Sequence, residues 1–258
     1  MENFDKIPKH KQKKFTVVYE DPFILGVNKA SGLAVGGDRW DNAKERLDRL
    51  LQEKQRNLFT VHRIDRDTSG LVVFAKDPET HRRLCQAFEN REVEKRYIAV
   101  VEGRPSWQEK TCTAPLVPNG DKQHRTIIDK YQGKKALTRF RLLGTAGNYA
   151  LIEALPETGR THQIRVHLAS LGHPVVCDSL YGRVKPVLLS SFKRGWRGDP
   201  QKERPLLARL GLHGALLKLP EISLEAALPR DLAAFIAQMK KNSPGDPRER
   251  EASFYGRP

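Results

Sequence analysis

The sequence predicts an α+β fold. Short segments rich in β-branched and aromatic residues, which are typical of strands, recur along the chain. Segments with apolar residues at helical spacing lie between them. The chain has 258 residues, of which 38% are hydrophobic, enough for a core. This length suits one large domain or two small ones.

The charge balance favours a polyanionic partner. The formal net charge is +15, from 46 basic and 31 acidic residues. Nucleic acid is the first candidate partner, and an anionic membrane surface is the second. The membrane is disfavoured because no amphipathic apolar face accompanies the charge. The remaining alternative is a soluble protein that is merely basic.

The sequence indicates a reduced, cytoplasmic protein. No apolar run reaches the length of a membrane span, and the N-terminus lacks the apolar region of a secretory signal. The three cysteines, Cys85, Cys112 and Cys177, are widely spaced. They form neither a disulfide framework nor a zinc pattern.

The N-terminal elements are predicted from local patterns. Residues 1–14 contain five lysines and almost nothing apolar, so we expect a disordered arm that lies on phosphates or is simply solvated. Residues 15–19 and 23–28 are strand-like and are separated by a turn. Residues 43–54 carry leucines at helical spacing and are predicted to form a helix.

The segment Val61–Lys76 contains a cluster of polar residues followed by a predicted buried strand. Residues 71–75 are short, apolar and β-branched, which predicts a strand buried on both faces. The polar residues before it allow two interpretations. One is a structural turn in which the charges pair. The other is a catalytic carboxylate, Asp65, held ionised between Arg63 and Arg66.

The middle of the chain is predicted to be mainly strands. Asp77 followed by proline is a typical helix start. Residues 93–103 alternate as a strand. Residues 104–134 are rich in turn formers and indicate a loop-rich region. Residues 135–143 and 149–155 are predicted as two strands around a turn at 144–148.

The segment Glu157–His173 predicts a helix with unusual charge. Apolar residues recur at helical spacing, and Gly172 ends the helix. Basic residues near a helix N-terminus oppose the helix dipole, so Arg160 and Arg165 are expected to meet negative groups. His162, Arg165 and Ala169 are predicted to share one face.

A metal site is not expected. His162 and His167 are five residues apart, and no carboxylate stands at the spacing of a zinc-protease motif.

Residues 183–205 form a basic insert with two aromatic residues, Phe192 and Trp196. Basic and aromatic residues together favour contact with RNA. A solvated loop that the two aromatics anchor explains the same pattern.

The C-terminal elements complete the pattern. Residues 210–219 and 222–227 are predicted as a strand pair, and a last helix begins near Pro229 and ends near Lys241. Residues 242–258 are polar and rich in Pro and Gly, and are expected to be a disordered tail.

These motifs resemble those of the RluA family of pseudouridine synthases. The first is His62-Arg63-Ile64-Asp65, followed after two residues by Thr68-Ser69-Gly70, with Ile64 where the family has Leu. The second is Thr158–Leu168, which matches without departure. Weaker matches are the strand pair before Gly32, the Lys95–Gly103 segment, and Leu212–Leu217, where Gly214 replaces the usual Ala.

The resemblance covers about residues 15–240 and implies the pseudouridine synthase fold. That fold is α+β, with a long, mixed, mostly antiparallel sheet, flanking helices and a central active-site cleft. The element pattern fits this fold but does not by itself define it. The catalytic domain is then residues 15–241, between the basic arm 1–14 and the tail 242–258. Since some 14 residues precede it, we expect a form without the family's N-terminal RNA-binding domain.

The resemblance also implies an activity and catalytic residues. The reaction isomerises uridine to pseudouridine in structured RNA, ribosomal or transfer RNA, and needs no cofactor. Asp65 is the catalytic residue, by covalent attack or as a general base. Arg165 is the arginine that pairs with it, and Arg160 is the second candidate. Tyr97, otherwise read as a core aromatic, stacks on the target base.

Further residues are expected to contact the RNA stem-loop. They belong to the two motifs and are His62, Arg63, Arg66, Thr68, Arg160 and His162. Arg63 fills the gap that the flipped uridine leaves. Asp178 and Tyr181 are expected to be structural. The protein is expected to act as a monomer without a membrane partner.

A different class remains possible on the same fold. The alternative is a catalytically silent RNA-binding or ribosome-assembly factor. The intact set of Asp65, Tyr97 and Arg165 argues against it.

Overall fold

The computed structural model describes residues 13–37, 45–53, 55, 57–193 and 195–242. Most of the predicted arm and tail therefore lies outside the described residues. The strands are β1 (Phe15–Glu20), β2 (Ile24–Lys29), β3 (Phe59–Thr60), β4 (Ser69–Ala75), β5 (Glu94–Glu102), β6 (Glu109–Cys112), β7 (Leu116–Val117), β8 (Ile127–Ile128), β9 (Thr138–Ala146), β10 (Tyr149–Pro156), β11 (Leu212–Lys218) and β12 (Ser223–Glu225). The helices are α1 (Leu47–Gln52), α2 (Pro78–Glu89), α3 (Gln163–Ser170) and α4 (Arg230–Asn242), with a short 3-10 turn at Leu189–Ser191.

One sheet of ten strands organises the molecule. Its order is β1-β2-β4-β11-β5-β10-β9-β6, with β3 beside β4 and β12 beside β11. Strands β4 and β11 are parallel, and the neighbouring pairs β2–β4 and β11–β5 are antiparallel. A separate two-stranded sheet joins β7 and β8. The predicted α+β class, with a long, mixed, mostly antiparallel sheet, is confirmed.

Helices cover both faces of the sheet because strand side chains alternate. On β4, Val72 packs with α1, whereas Leu71 packs with α2. On β10, Ile152 packs with α3, whereas Leu151 packs with α4. Tyr97 contacts both the α1 cluster and the α3 cluster. It therefore lies on the face that these two helices share, at the middle of the sheet.

The parallel pair at the centre requires glycine. Gly70 has φ +124°, and a Cβ there would lie 2.3 Å from the carbonyl oxygen of Gly214 on β11. Such a distance excludes any larger residue. The polar loop before Gly70 consequently ends where β4 and β11 meet, at the centre of the sheet.

The predicted elements are present with altered bounds. Helix α2 begins as predicted, with Asp77 Oδ1 accepting the N–H of Thr80 at 2.8 Å. Helix α1 is shorter than predicted within the described residues, and residues 43, 44 and 54 lie outside them. The turn predicted at 144–148 is present but shorter, because β9 continues to Ala146 and the chain reverses at Gly147, with φ +55°.

Helix α3 also differs from its prediction. His162 precedes the helix in the left-handed conformation, with φ +53°, so the expected shared helical face with Arg165 is wrong. None of the described helices combines the length and apolar character that a bilayer crossing requires.

Candidate active site

Asp65 and Arg165 meet at the centre of the sheet. Asp65 lies in the loop before β4, and Arg165 lies in the first turn of α3. Arg165 Nη1 is 3.3 Å from Asp65 Oδ2. The side chain of Arg165 is 5% exposed, whereas that of Asp65 is 25% exposed. The arginine is thus buried behind a carboxylate that solvent can reach.

Asp178 holds Arg165 from the other side. Its two carboxylate oxygens accept from Arg165 Nε and Nη2, both at 2.7 Å. The N–H groups of Leu180 and Tyr181 also donate to Asp178 Oδ1. Burial opposes the charged form of Asp178, but the bonds and charge of Arg165 hold its pKa below the usual value. This bidentate pair fixes the guanidinium plane that faces Asp65.

His162 and Tyr181 form the next layer around Asp65. His162 Nε2 lies 4.0 Å from Asp65 Oδ2, and its Nδ1 lies 2.9 Å from the Tyr181 hydroxyl. The Tyr181 hydroxyl accepts the N–H of Thr126, and its ring lies 5.1 Å from Arg165 Cζ. Burial lowers the pKa of His162, and the charge of Asp65 partly offsets this effect.

Tyr97 lies beneath this group on β5. Its side chain is half-buried. Burial raises the pKa of Tyr97, and the negative charge of Asp65 raises it further. Gly214 leaves room for the ring, since a Cβ there would approach Tyr97 Cε1 to 3.2 Å. A neutral, half-buried phenol beside a carboxylate offers a flat surface for a planar ligand.

The loop that carries Asp65 is tied to the turn after β2. The fully buried Lys29 donates from Nζ to the carbonyls of Leu33 at 2.7 Å, Arg66 at 2.9 Å and Ala30 at 3.0 Å. Burial lowers the pKa of Lys29 to about 7. Ser31 Oγ donates to the carbonyl of Asp67 at 2.6 Å. These bonds hold the backbone that follows Asp65.

The predicted clamp of Arg63 and Arg66 around Asp65 is wrong. Arg66 Nε lies 3.3 Å from Asp67 Oδ1, and Arg63 is exposed to solvent. Successive side chains in an extended loop point in different directions, so the neighbours of Asp65 in sequence do not face it. Its partner comes from α3 instead.

Three other residues expected to touch RNA differ in their surroundings. His62 Nε2 accepts the N–H of Val73 at 3.1 Å, its ring stacks on Phe88, and burial lowers its pKa to about 3. Thr68 is buried, and its Oγ1 has no partner among the described residues. Arg160 is exposed and donates to the carbonyl of Lys135 at 3.1 Å.

A cavity opens beside Arg165. Its volume is about 380 Å³, and its walls include Ser31, Asp67, Arg165, Cys177 and Arg209. This volume lies within the range of small-ligand sites. Within the described ranges, no three His, Cys, Asp or Glu side chains gather as metal ligands would.

The functional relevance of Asp178 and Tyr181 was missed. Both belong to the Pro174–Gly182 segment, which immediately follows the second motif. A buried arginine needs a charged partner, and Asp178 was the nearest downstream acid. The need for such a partner was the signal in the sequence from which Asp178 could have been identified.

Comparison with known protein sequences indicates the same class of protein as the arrangement of Asp65 and Arg165. The chain matches the RNA pseudouridylate synthase family over residues 24–170. It is 37% identical over 232 residues to ribosomal large subunit pseudouridine synthase D of Zymomonas mobilis, covering 84% of this chain and 70% of the relative. It is 40% identical over 178 residues to ribosomal large subunit pseudouridine synthase C of Vibrio cholerae, covering 69% of this chain and 56% of the relative.

Solved structures show the same fold. Human RNA pseudouridylate synthase domain containing 1 superposes with a TM-score of 0.63 at 28% identity, covering 83% of each chain. Human RNA pseudouridylate synthase domain containing 4 gives 0.68 at 23% identity, covering 87% of this chain and 92% of the other. Fold and sequence therefore define a pseudouridine synthase. The chain belongs to the RNA pseudouridylate synthase family, and its resemblance to the RluA group is confirmed.

Proposed function

We propose that this protein converts uridine to pseudouridine in large-subunit ribosomal RNA, with Asp65 as the catalytic carboxylate. Relatives at 37% and 40% identity carry that substrate in their names. The observation that carries the proposal is the chain of contacts from Asp65 through Arg165 to Asp178. It holds a carboxylate that is 25% exposed against a guanidinium that is fixed in the core.

The asymmetry of the Asp65 carboxylate suits chemistry at the ribose. Oδ2 faces Arg165, whereas Oδ1 accepts no hydrogen bond from the part of the chain that the structure describes. Asp65 either attacks C1′ of the target ribose or removes a proton from the sugar. Both routes need a carboxylate held in one orientation, and the hydrogen bond from Arg165 provides this.

The remaining steps rearrange the same atoms. The bond between N1 and C1′ breaks, the uracil turns, and C5 bonds to C1′ as Asp65 leaves C1′ or, on the other route, returns the proton to the sugar. C5 then loses its proton, and N1 gains one. Tyr97 supports the uracil face during this turn, since aromatic rings stack on unpaired bases.

The exposure of Arg63 supports a role in base flipping. Its side chain faces solvent, and it precedes Asp65 by two residues in the sequence. A uridine inside a stem must leave the stack before Asp65 can reach its ribose. Arg63 then occupies the vacated space. Arg63→Ala should reduce turnover on a structured stem-loop more than on a flexible single strand, and equal losses on both would remove this role.

The basic insert supports an RNA partner. The segments on either side of residues 183–205 line the cavity beside Arg165, through Cys177 and Ala208. Arg183 and Lys185 are exposed, whereas Phe192 is buried in the core. Phe192 is therefore an anchor of the loop, and the exposed cations are the part that meets phosphate.

Salt dependence tests this surface. Replacing Arg183 and Lys185 by Ala should lower the slope of log RNA affinity against log salt by about one per lost phosphate contact. The control is Arg82→Ala on α2, an exposed cation on the face of the sheet that lies away from Tyr97 and α3. Equal slopes in all variants would show that the insert is only solvated.

Pseudouridine mapping tests the function itself. RNA is taken from cells with and without the gene, and from cells in which wild type or Asp65→Asn is restored. We expect one or more ribosomal RNA sites to vanish and to return only with the wild type. If the site that vanished lay in transfer RNA, the proposed ribosomal RNA substrate would be wrong and transfer RNA would replace it. A site that returned with Asp65→Asn would remove the catalytic role, and no change in any RNA would favour an RNA-binding factor.

A further inference from the structure

We propose that His162 is a positioning residue for Asp65, which it orients by directing an N–H group at the anchored carboxylate oxygen. The inference rests on the proposed function, in which Asp65 acts on the ribose. His162 would act through Asp65, since its Nε2 lies 4.0 Å from Asp65 Oδ2. A shorter approach would add a second donor to the oxygen that Arg165 already contacts.

The neighbours of the ring determine where its proton resides. Nε2 faces a carboxylate, which only accepts hydrogen bonds when ionised, so the proton belongs on Nε2. Nδ1 is then an acceptor, and its neighbour at 2.9 Å is the Tyr181 hydroxyl. That hydroxyl already accepts the N–H of Thr126, so its own proton is free to be donated to Nδ1. Both contacts specify the same neutral tautomer.

The backbone fixes the direction of the ring. His162 adopts φ +53°, a left-handed conformation that is uncommon outside glycine. The next residue, Gln163, is buried and uses both ends of its side chain. Its Oε1 accepts from Arg160 N and Thr158 Oγ1, and its Nε2 donates to Leu137 O. A strained residue held by such a network is typical of functional sites.

Because two N–H groups are directed at one oxygen of the Asp65 carboxylate, the other oxygen stays available to a ligand. Arg165 Nη1 and His162 Nε2 both face Asp65 Oδ2. Oδ1 is the oxygen left for the ribose. The present separation of 4.0 Å exceeds a hydrogen bond, and such contacts often tighten when substrate binds.

The charges around His162 are mixed. Asp65 and Asp67 approach from the loop before β4, Asp178 lies behind Arg165, and Arg165 itself comes from α3. The acids favour the protonated ring, whereas burial and Arg165 oppose it, and the net result is a lowered pKa. Donation from Tyr181 to Nδ1 also blocks the position that a second proton would take.

Tritium release tests the inference. The substrate is large-subunit ribosomal RNA of the source organism, transcribed with uridine tritiated at C5, which loses that atom on conversion. Release is measured in a single turnover with enzyme in excess, and RNA affinity is measured separately. His162→Phe removes the N–H donor, His162→Gln restores one, and Tyr181→Phe removes only the partner of Nδ1.

We expect His162→Phe to slow release by about 10- to 100-fold while RNA affinity stays within about twofold. His162→Gln should recover most of the rate. Tyr181→Phe should slow release less than His162→Phe does, because the ring can then carry its proton on Nδ1 and turn an unprotonated Nε2 toward Asp65.

The possible results distinguish a failure of the positioning role of His162 from a failure of the proposed function. An unchanged rate in His162→Phe, or a rate loss matched by lost RNA affinity, would overturn the positioning role. If His162→Phe does not fold, Tyr181→Phe decides, and a rate of release identical to that of the wild type would overturn it. If the wild type released no tritium, the proposed function would fail first. Asp65→Asn serves as the inactive reference.

Discussion

The two motif segments meet at one contact but are held in opposite ways. The loop 62–69 is held through its backbone, since Lys29 and Ser31 bond the carbonyls of Arg66 and Asp67. The start of α3 is held through its side chains, of which Gln163 and Arg165 are buried and multiply bonded.

This difference follows from what each segment must present. In the proposed function Asp65 has to reach a substrate, which agrees with its side chain being 25% exposed and not itself anchoring the loop. Arg165 has only to face Asp65, so it can be buried at 5% exposure provided that Asp178 balances its charge. The reactive group is carried by a tethered loop, and its partner is fixed in the core.

Breaking the side-chain anchor should have the largest effect. Arg165→Met leaves Asp178 buried without its bidentate partner, which should lower the free energy of unfolding by about 3–5 kcal/mol and abolish turnover. Urea unfolding measures the first effect, and tritium release from C5-labelled RNA measures the second. The matched control is Arg160→Met, which removes an exposed arginine from the same segment with one backbone bond.

We expect the control to change stability by less than about 1 kcal/mol. Equal losses in the two variants would show that the pair of Arg165 with Asp178 stabilises the fold no more than the single bond of Arg160 does.

Breaking the backbone anchor should have a smaller effect. Lys29→Met leaves three carbonyls without their donor, and should cost about 2–3 kcal/mol of unfolding free energy. Turnover should fall as well, because the loop that presents Asp65 loosens while Arg165 and Asp178 remain paired. Ser31→Ala, which removes one bond from the same turn, should cost about 1 kcal/mol. A larger loss for Ser31→Ala than for Lys29→Met would reverse this ranking.

Local signals in the sequence predicted most of the elements. The buried strand 69–75 follows from its apolar run, and the start of α2 follows from Asp77 and the proline after it. Asp65 and Arg165 were selected through the family resemblance, and the structure brings them within 3.3 Å. Nothing in the spacing of residues 100 positions apart specifies that contact.

The failures concern side-chain direction and tertiary partners. The polar motif suggested Arg66 beside Asp65, yet Arg66 meets Asp67. His62 looked equivalent to His162, but it turns toward Val73 and Phe88. Lys29 was read only as part of a turn, although it holds the loop. Such directions depend on which elements pack together, which local propensity does not encode.

The two anchors should respond to opposite ends of the pH scale. Burial lowers the pKa of Lys29 from 10.5 to about 7 in the native state. Between these values the unfolded chain binds a proton that the native state has released, so the free energy of unfolding rises with pH. Asp178 has a native pKa below its usual 3.8. As the pH falls below that value the unfolded chain takes up the proton first, so the free energy of unfolding falls.

Variants separate the two contributions. Relative to the wild type, Lys29→Met should lose the alkaline rise, which is at most about 1.4 kcal/mol per pH unit, and keep the acid fall. Asp178→Asn should lose part of the acid fall and keep the alkaline rise. Denaturant unfolding at pH 3, 5, 7 and 9 measures both, with those pH values chosen to bracket roughly the two windows. If both variants changed the same part of the pH dependence of the unfolding free energy, the loop and α3 would share a single anchor. The contrast between backbone and side-chain anchoring would then be lost.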